Sequence, residues 1–295
     1  MTIEDYRRFY AEEIQFVANL NSRALVDALA RVPRETFLGP GPWQIGSPEG
    51  RGMAAMGMGG QTGYLTIEDP RHLYHNVVAV VDAGKDLNNG QPSALARWID
   101  ALDLKPGDRA YHMGSGVGYY TAIIAELVGP TGSVAASEVE PELAARAKDN
   151  LSGYKNVTVH AGDGAAFDPS ECDAMLINAG VTHPSPLWLD RLREGGRLVL
   201  PITMATTKTL GAGLMARILR ERNGFSIQGV SPVGIYSCTS MRDPAMEPLL
   251  RTALTTQTLF KVKSLRRDAH DQVDTCVVHG ANVCLSSAAL VVTQV

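Results

Sequence analysis

One pattern constrains the fold more than any other. Between residues 91 and 203, short apolar runs of strand length alternate with runs whose apolar residues recur at helical spacing. Pro92 suits a helix start, because the first turn leaves its missing N–H unneeded, and Leu95, Trp98, Ile99 and Leu102 then share a face. Residues 109–113 read as a strand and 119–128 as an apolar helix. A second strand covers 134–137, and Pro141 opens a helix with Leu143, Ala147 and Leu151 at every fourth position. Val157 and Val159 mark a third strand and 174–177 a fourth. Pro186 starts another helix, with Leu187 and Leu192 expected inward, and 198–200 is a fifth strand. Strands this apolar need cover on both faces, which helical crossovers provide. The expected fold is therefore α/β: a Rossmann-like, doubly wound, mostly parallel sheet that binds ligands at the carboxyl ends of its strands.

The flanks differ from this core. Ser22 is placed to cap a helix carrying Leu25, Val26 and Leu29, which must stop before Pro33. Residues 39–63 are rich in glycine and proline and carry Met53, Met56 and Met58, so little regular structure is expected. That stretch reads either as a surface loop tucked down by its methionines or as a mobile lid over a substrate. After Pro201 strands are expected at 211–219, 229–237 and 275–285, with a helix from Asp243-Pro244 that carries Met246, Leu249, Leu250 and Ala253. The chain thus divides into N-terminal helices with a loop-rich cap (1–84), the core (85–240) and a C-terminal extension packed on it (241–295).

Composition narrows the function. With 27 Lys and Arg against 31 Asp and Glu the chain is slightly acidic. Its one basic cluster, Lys261, Lys263, Arg266 and Arg267, runs straight into Asp268, Asp271 and Asp274, so a solvated strand is expected rather than a nucleic-acid surface. Among Cys172, Cys238, Cys276 and Cys284, no two cysteines have the short spacing of a zinc knuckle or redox pair. They read as structural thiols of a cytoplasmic protein, with no metal. The N-terminus is charged, and no run approaches the ~20 apolar residues that span a bilayer, so no membrane association is expected.

Residues 110–120, Ala-Tyr-His-Met-Gly-Ser-Gly-Val-Gly-Tyr-Tyr, join a strand to a helix through a glycine-rich turn. Glycines let a ligand approach the backbone, and the helix start offers unpaired N–H groups. His112, Gly114, Ser115, Gly116, Gly118 and Tyr119 are the candidate cofactor contacts here. Glu138, with Val139 beside it, follows about 20 residues later at the end of the second strand, where a carboxylate accepts both ribose hydroxyls. Gly162, Asp163 and Gly164 end the third strand and Asn178 the fourth. A dinucleotide site would want a further glycine at 119, where this chain has Tyr119. The pattern, with Asp163 placed for an adenine amino group, points instead to S-adenosyl-L-methionine, with S-adenosyl-L-homocysteine as product.

At this point the chain resembles the protein-L-isoaspartate O-methyltransferases among class I S-adenosylmethionine-dependent methyltransferases. The resemblance rests on Val32-Pro-Arg-Glu-Thr-Phe37, Gln91-Pro92, Leu104-Lys-Pro-Gly107, the glycine turn, Glu138, Gly162-Asp163-Gly164, Gly195-Gly196-Arg197-Leu-Val-Leu-Pro201 and Val233-Gly-Ile-Tyr236. It implies methyl transfer to a carboxylate oxygen. Two positions depart from the family pattern: His112 replaces an acid, and Asn88-Asn89-Gly90 replaces Thr-Ile-Ser before Gln-Pro.

A carboxylate acceptor is already ionised at neutral pH and needs no base, only donors that orient it. Asn88 and Asn89 are the candidates for that catalytic role, with the Gly90 N–H assisting; the same three residues also suit a plain turn before the Pro92 helix. His75 and His183 are candidate substrate contacts, and a neutral acceptor would need a histidine as base. Three functions follow: a carboxylate O-methyltransferase of isoaspartyl or aspartyl residues in peptides or proteins, a small-molecule methyltransferase, or a module that binds the methyl donor without turnover.

Overall fold

The computed structural model describes residues 1–46 and 63–290. Met53, Met56 and Met58, and with them the choice between loop and lid, lie outside the described residues.

The chain opens with three helices, α1 (Ile3–Ala18), α2 (Arg23–Arg31) and α3 (Arg34–Leu38). Thr2 closes a capping box on α1, and the Ser22 hydroxyl caps α2 by accepting the Leu25 N–H at 3.2 Å. Next come β1 (Trp43–Gly46), β2 (Leu65–Ile67), β3 (Val78–Asp82) and β4 (Leu87–Asn88), which form a four-stranded sheet in the order β2-β1-β3-β4. The alternating segment follows: α4 (Pro92–Ala101), β5 (Arg109–Met113), α5 (Tyr119–Val128), β6 (Ser133–Glu138), α6 (Pro141–Asn150), β7 (Val157–Ala161), β8 (Cys172–Ile177) and α7 (Pro186–Arg191). Its final strand, β9 (Leu192–Ala205), leads into β10 (Leu210–Glu221), β11 (Gly224–Tyr236), α8 (Glu247–Thr255), β12 (Ser264–Arg266), β13 (Cys276–His279) and β14 (Cys284–Ser286).

The main sheet has ten strands in the order β13-β14-β12-β11-β10-β9-β8-β5-β6-β7. β5, β8 and β9 pair in parallel, and β9 onward continues as antiparallel pairs. This is the α/β fold expected, extended by the C-terminal strands.

Four local expectations need correction. Residues 39–63 were expected to lack regular structure, yet β1 forms inside them, held between β2 and β3. The strand expected at 198–200 is the middle of a longer element, Leu192–Ala205, because Gly195-Gly196 breaks the apolar pattern without breaking the strand. The strand expected at 275–285 is two short strands, β13 and β14, paired antiparallel. In α7 the inward face shifts: Trp188 and Leu189 are buried while Leu187 is only half-buried.

Two compact units emerge from the contacts. The first comprises Met1–Gly107, Ser115–Val134 and Glu138–Ala161. Its buried residues include Tyr10, Ile14, Leu25, Leu29, Leu95, Ile99, Tyr119 and Ile123. Arg34 is wholly buried there, and its guanidinium donates to the carbonyls of Leu73 (2.6 Å), Val77 (2.8 Å) and His75 (3.4 Å). The second unit comprises Asp108–Gly114, Ala135–Ser137 and Gly162–Val295. Its core runs through Tyr111, Met175, Ile177, Trp188, Leu200, Leu214, Ile218, Leu250 and Leu285. Among the described residues no helix is long and apolar enough to cross a membrane.

Candidate functional site

In the first unit the glycine turn and Glu138 are coupled directly. The Gly116 N–H donates to Glu138 Oε2 at 2.7 Å, and the Glu140 N–H donates to Oε1 at 3.0 Å. Each carboxylate oxygen has two acceptor directions, so each keeps one for a ligand. Gly116 sits at φ +55°, and a Cβ added there would meet no atom within 4 Å, so this side of the turn is open. Ser115 is buried, and its Oγ has no hydrogen-bond partner. Gly118 caps α5 at φ +93°, where a Cβ would come within 2.8 Å of Leu151; glycine is needed there for the turn and for close packing of α5 on α6. Val139 is 62% exposed next to Glu138. Tyr119 is fully buried, edge-on to Phe37 and Tyr120, and belongs to the core.

Asn88 and Asn89 differ in what they do. The Asn88 Oδ1 accepts the Gly90 N–H at 2.9 Å and so closes the turn. Asn89 is buried with its backbone N–H on the Ala79 carbonyl at 2.7 Å, and its Nδ2 has no partner. Gly90 has φ +73°, and an added Cβ would lie 2.7 Å from Leu95 Cδ2 and 4.0 Å from Tyr120 Cε2. A serine at 90 therefore meets both a strained backbone and the Leu95 side chain, which accounts for glycine there. Tyr120 is the second residue of α5, so the asparagine turn lies beside the start of that helix. The His75 side chain is exposed.

The second unit carries the remaining candidates. Gly114, at φ +76°, donates its N–H to the Ser137 carbonyl at 2.9 Å and accepts Asn178 Nδ2 at 3.3 Å. His112 is completely buried, which pushes its pKa down to about 4 and keeps the ring neutral. Asp163 is exposed and caps its own turn, its Oδ1 accepting the Ala165 N–H at 2.9 Å. Gly162, at φ +134°, has open space where a Cβ would be. Gly164 does not: a Cβ there would stand 2.7 Å from the Tyr111 hydroxyl, which donates to the Gly164 carbonyl at 2.8 Å. Gly164 is a packing glycine. His183 is half-buried with Nδ1 2.9 Å from Thr182 Oγ1, and burial lowers its pKa against the opposing charge of Asp243.

Residues 53–224 match the family model for Protein-L-isoaspartate(D-aspartate) O-methyltransferase. The chain belongs to this O-methyltransferase family. The protein-L-isoaspartate O-methyltransferase of Ignicoccus hospitalis is 33% identical to it over 171 residues, covering 56% of this chain and 78% of that protein. Protein-L-isoaspartate O-methyltransferase 1 of Archaeoglobus fulgidus is 39% identical over 150 residues, 46% of this chain and 69% of that one. A solved protein-L-isoaspartate O-methyltransferase shares the fold with TM-score 0.60 at 20% identity, over 83% of this chain and 69% of its own. A Plasmodium falciparum structure of the same description, in complex with S-adenosyl-L-homocysteine, matches with TM-score 0.56 at 17% identity, over 79% of this chain and 98% of its own.

Within this methyltransferase, two positioning residues escaped the reading of the sequence. Asn150, at the end of α6, donates from Nδ2 to the Val117 carbonyl (2.9 Å) and the Phe37 carbonyl (3.1 Å), and so holds the glycine turn. Arg34 pins the segment that leads through β3 and β4 to Asn89. The Val-Pro-Arg-Glu stretch that contains Arg34 is visible in the sequence; its role as an anchor for three distant carbonyls is not.

Proposed function

We propose that this methyltransferase uses S-adenosyl-L-methionine to methylate a side-chain carboxylate of isoaspartyl or aspartyl type in peptides or proteins. The observation that carries the reading is a pair of buried polar atoms without partners, Ser115 Oγ and Asn89 Nδ2, on segments that adjoin the start of α5. Buried polar groups with no protein partner are suited to donate to or accept from a ligand. The cofactor fits the residues present. Glu138 offers one free acceptor direction on each oxygen to the two ribose hydroxyls, the open side of Gly116 admits the ligand to the backbone, and Val139 supplies apolar surface for the base. Gly114, Asp163 and Asn178 stay candidate cofactor contacts, and His183 a candidate acceptor contact, on sequence grounds alone.

When bound, S-adenosyl-L-methionine supplies an electrophilic methyl group whose transfer depends chiefly on alignment. The chain's own residues do the aligning. Asn89 Nδ2 donates to one oxygen of the acceptor carboxylate and leaves the other free to act as nucleophile. A neutral amide orients that carboxylate without the strong charge pairing of a cation, which would hold its electrons more tightly. Asn88 keeps the Asn89 turn closed. No base is required, in keeping with a neutral, buried His112 and an exposed His75. The four thiols are free, which supports a cytoplasmic setting.

The test is to incubate the full chain with labelled S-adenosyl-L-methionine and matched isoaspartyl and aspartyl peptides. Base-labile methyl esters are expected on at least one of them. Tight cofactor binding with no ester on either peptide would overturn the acceptor assignment.

A further inference from the structure

Away from the methyl-transfer residues, the second unit draws four metal-ligating side chains together. His270 lies in the loop after β12, Cys276 and His279 stand on β13, and Cys284 opens β14. One ligand atom from each lies within 4.8 Å of every other. On a regular strand, Cys276 and His279 would point to opposite faces, because three steps is an odd number. A bulge between Cys276 and Val278 sets two residues against one on β14 and restores them to one face. The register then puts His279 directly across from Cys284. Inspecting cysteine pairs alone could not reveal this, since two of the four groups are histidines and the hairpin supplies the rest; the expectation of purely structural thiols without a metal is revised accordingly.

We propose that His270, Cys276, His279 and Cys284 form a tetrahedral structural zinc site. Zinc bonds of about 2.3 Å to sulfur and about 2.0–2.1 Å to nitrogen imply ligand–ligand edges of roughly 3.3–3.8 Å. Cys276 Sγ and His270 Nε2 already stand 3.7 Å apart. His270 Nδ1 lies 2.8 Å from the Asp268 carbonyl, and donation there fixes the tautomer that frees Nε2 for a metal. The Val273 N–H donates to Cys276 Sγ at 3.5 Å, a backbone support suited to a thiolate. His279 Nδ1 is buried without a partner. The two imidazole rings lie edge to face, with centroids 4.8 Å apart and planes at 78°.

Two sulfurs and two imidazoles select zinc among common ions, and four protein ligands leave no open position, so the role is structural. The site would tie the loop after β12 to the β13–β14 hairpin. It stands apart from the methyl-transfer reading, and neither test depends on the other.

The experiment uses the full-length chain, purified without a histidine tag under reducing conditions. Elemental analysis is expected to find one zinc per chain. Cobalt replacing it should give the intense visible bands of a tetrahedral site and a thiolate charge-transfer band. Cys276→Ser and Cys284→Ser should weaken zinc binding by more than ~10-fold, while Cys238→Ser, outside the cluster, keeps it. Should the serine variants prove insoluble, the wild-type cobalt spectrum decides. A zinc-free chain giving only the weak spectrum of hydrated cobalt would overturn the proposal. So would a Cys276–Cys284 disulfide that persists in the chain freshly purified under those reducing conditions.

Discussion

Replacing Glu138 by Gln isolates what its second oxygen does. In the parent each carboxylate oxygen accepts one backbone N–H, from Gly116 at 2.7 Å and Glu140 at 3.0 Å, and keeps one acceptor direction. Glutamine has nearly the same shape but turns one acceptor into an NH2 donor. Whichever way the amide faces, that NH2 opposes a backbone N–H, and one ribose hydroxyl loses its charged acceptor. A hydrogen bond to a charged group contributes about 1.5–3 kcal/mol, so S-adenosyl-L-homocysteine should bind about 10- to 150-fold more weakly. Titration calorimetry measures this directly, with circular dichroism confirming that the variant is folded. A folded Glu138→Gln chain that binds within about twofold of the parent would refute the assignment of Glu138 to the ribose.

Four further outcomes are expected. Asn89→Ala should lower kcat/KM for a peptide acceptor by about tenfold, the cost of one hydrogen bond, and leave cofactor affinity intact; equal losses in both would place Asn89 elsewhere. Gly118→Ala combines a left-handed backbone with contact on Leu151 and should cost about 2–4 kcal/mol in urea unfolding, and part of that cost should vanish in a Leu151→Ala background. Arg34→Leu strands three carbonyls and should cost about 3–5 kcal/mol, with faster amide exchange across residues 73–90 as its local mark; unchanged exchange there would deny Arg34 its anchoring role. His112 titrates at about 4 when folded and about 6.5 when unfolded, so its neutral burial supports the fold fully above pH 6.5 and loses on the order of 3 kcal/mol as pH falls toward 4. His112→Leu should flatten the urea midpoint over that window, and coincident pH profiles would contradict the burial argument.

The sequence announces elements that local chemistry determines. Prolines at 92, 141 and 186 open helices, and Glu138 falls at the end of β6 as expected, because cap chemistry and strand ends are local properties. Long-range placement is less legible. Tyr119 and Gly164 read as cofactor contacts by adjacency, yet one packs against Phe37 and the other against Tyr111, since neighbours in space decide which face is free. The difference between Asn88 and Asn89 depends on which amide the turn consumes, and that appears only in coordinates. Arg34 and Asn150 act on carbonyls far away in sequence, from residue types that elsewhere sit on surfaces. The apolar run at 198–200 understates β9 because paired glycines signal a turn, although β8 pairs with Leu192 before them and with Arg197 after them, across a register shift.

The main sheet ends at β13, a strand of four residues with a bulge in it. A sheet margin is a template on which another chain can grow, since its outward N–H and C=O groups await a partner. A strand this short, bent at Val277, offers an incoming chain too little regular ladder to follow. The kink that aligns Cys276 with His279 thus also guards the chain against stacking on its own copies, and straightening it by deleting Val277 would be felt first as loss of solubility.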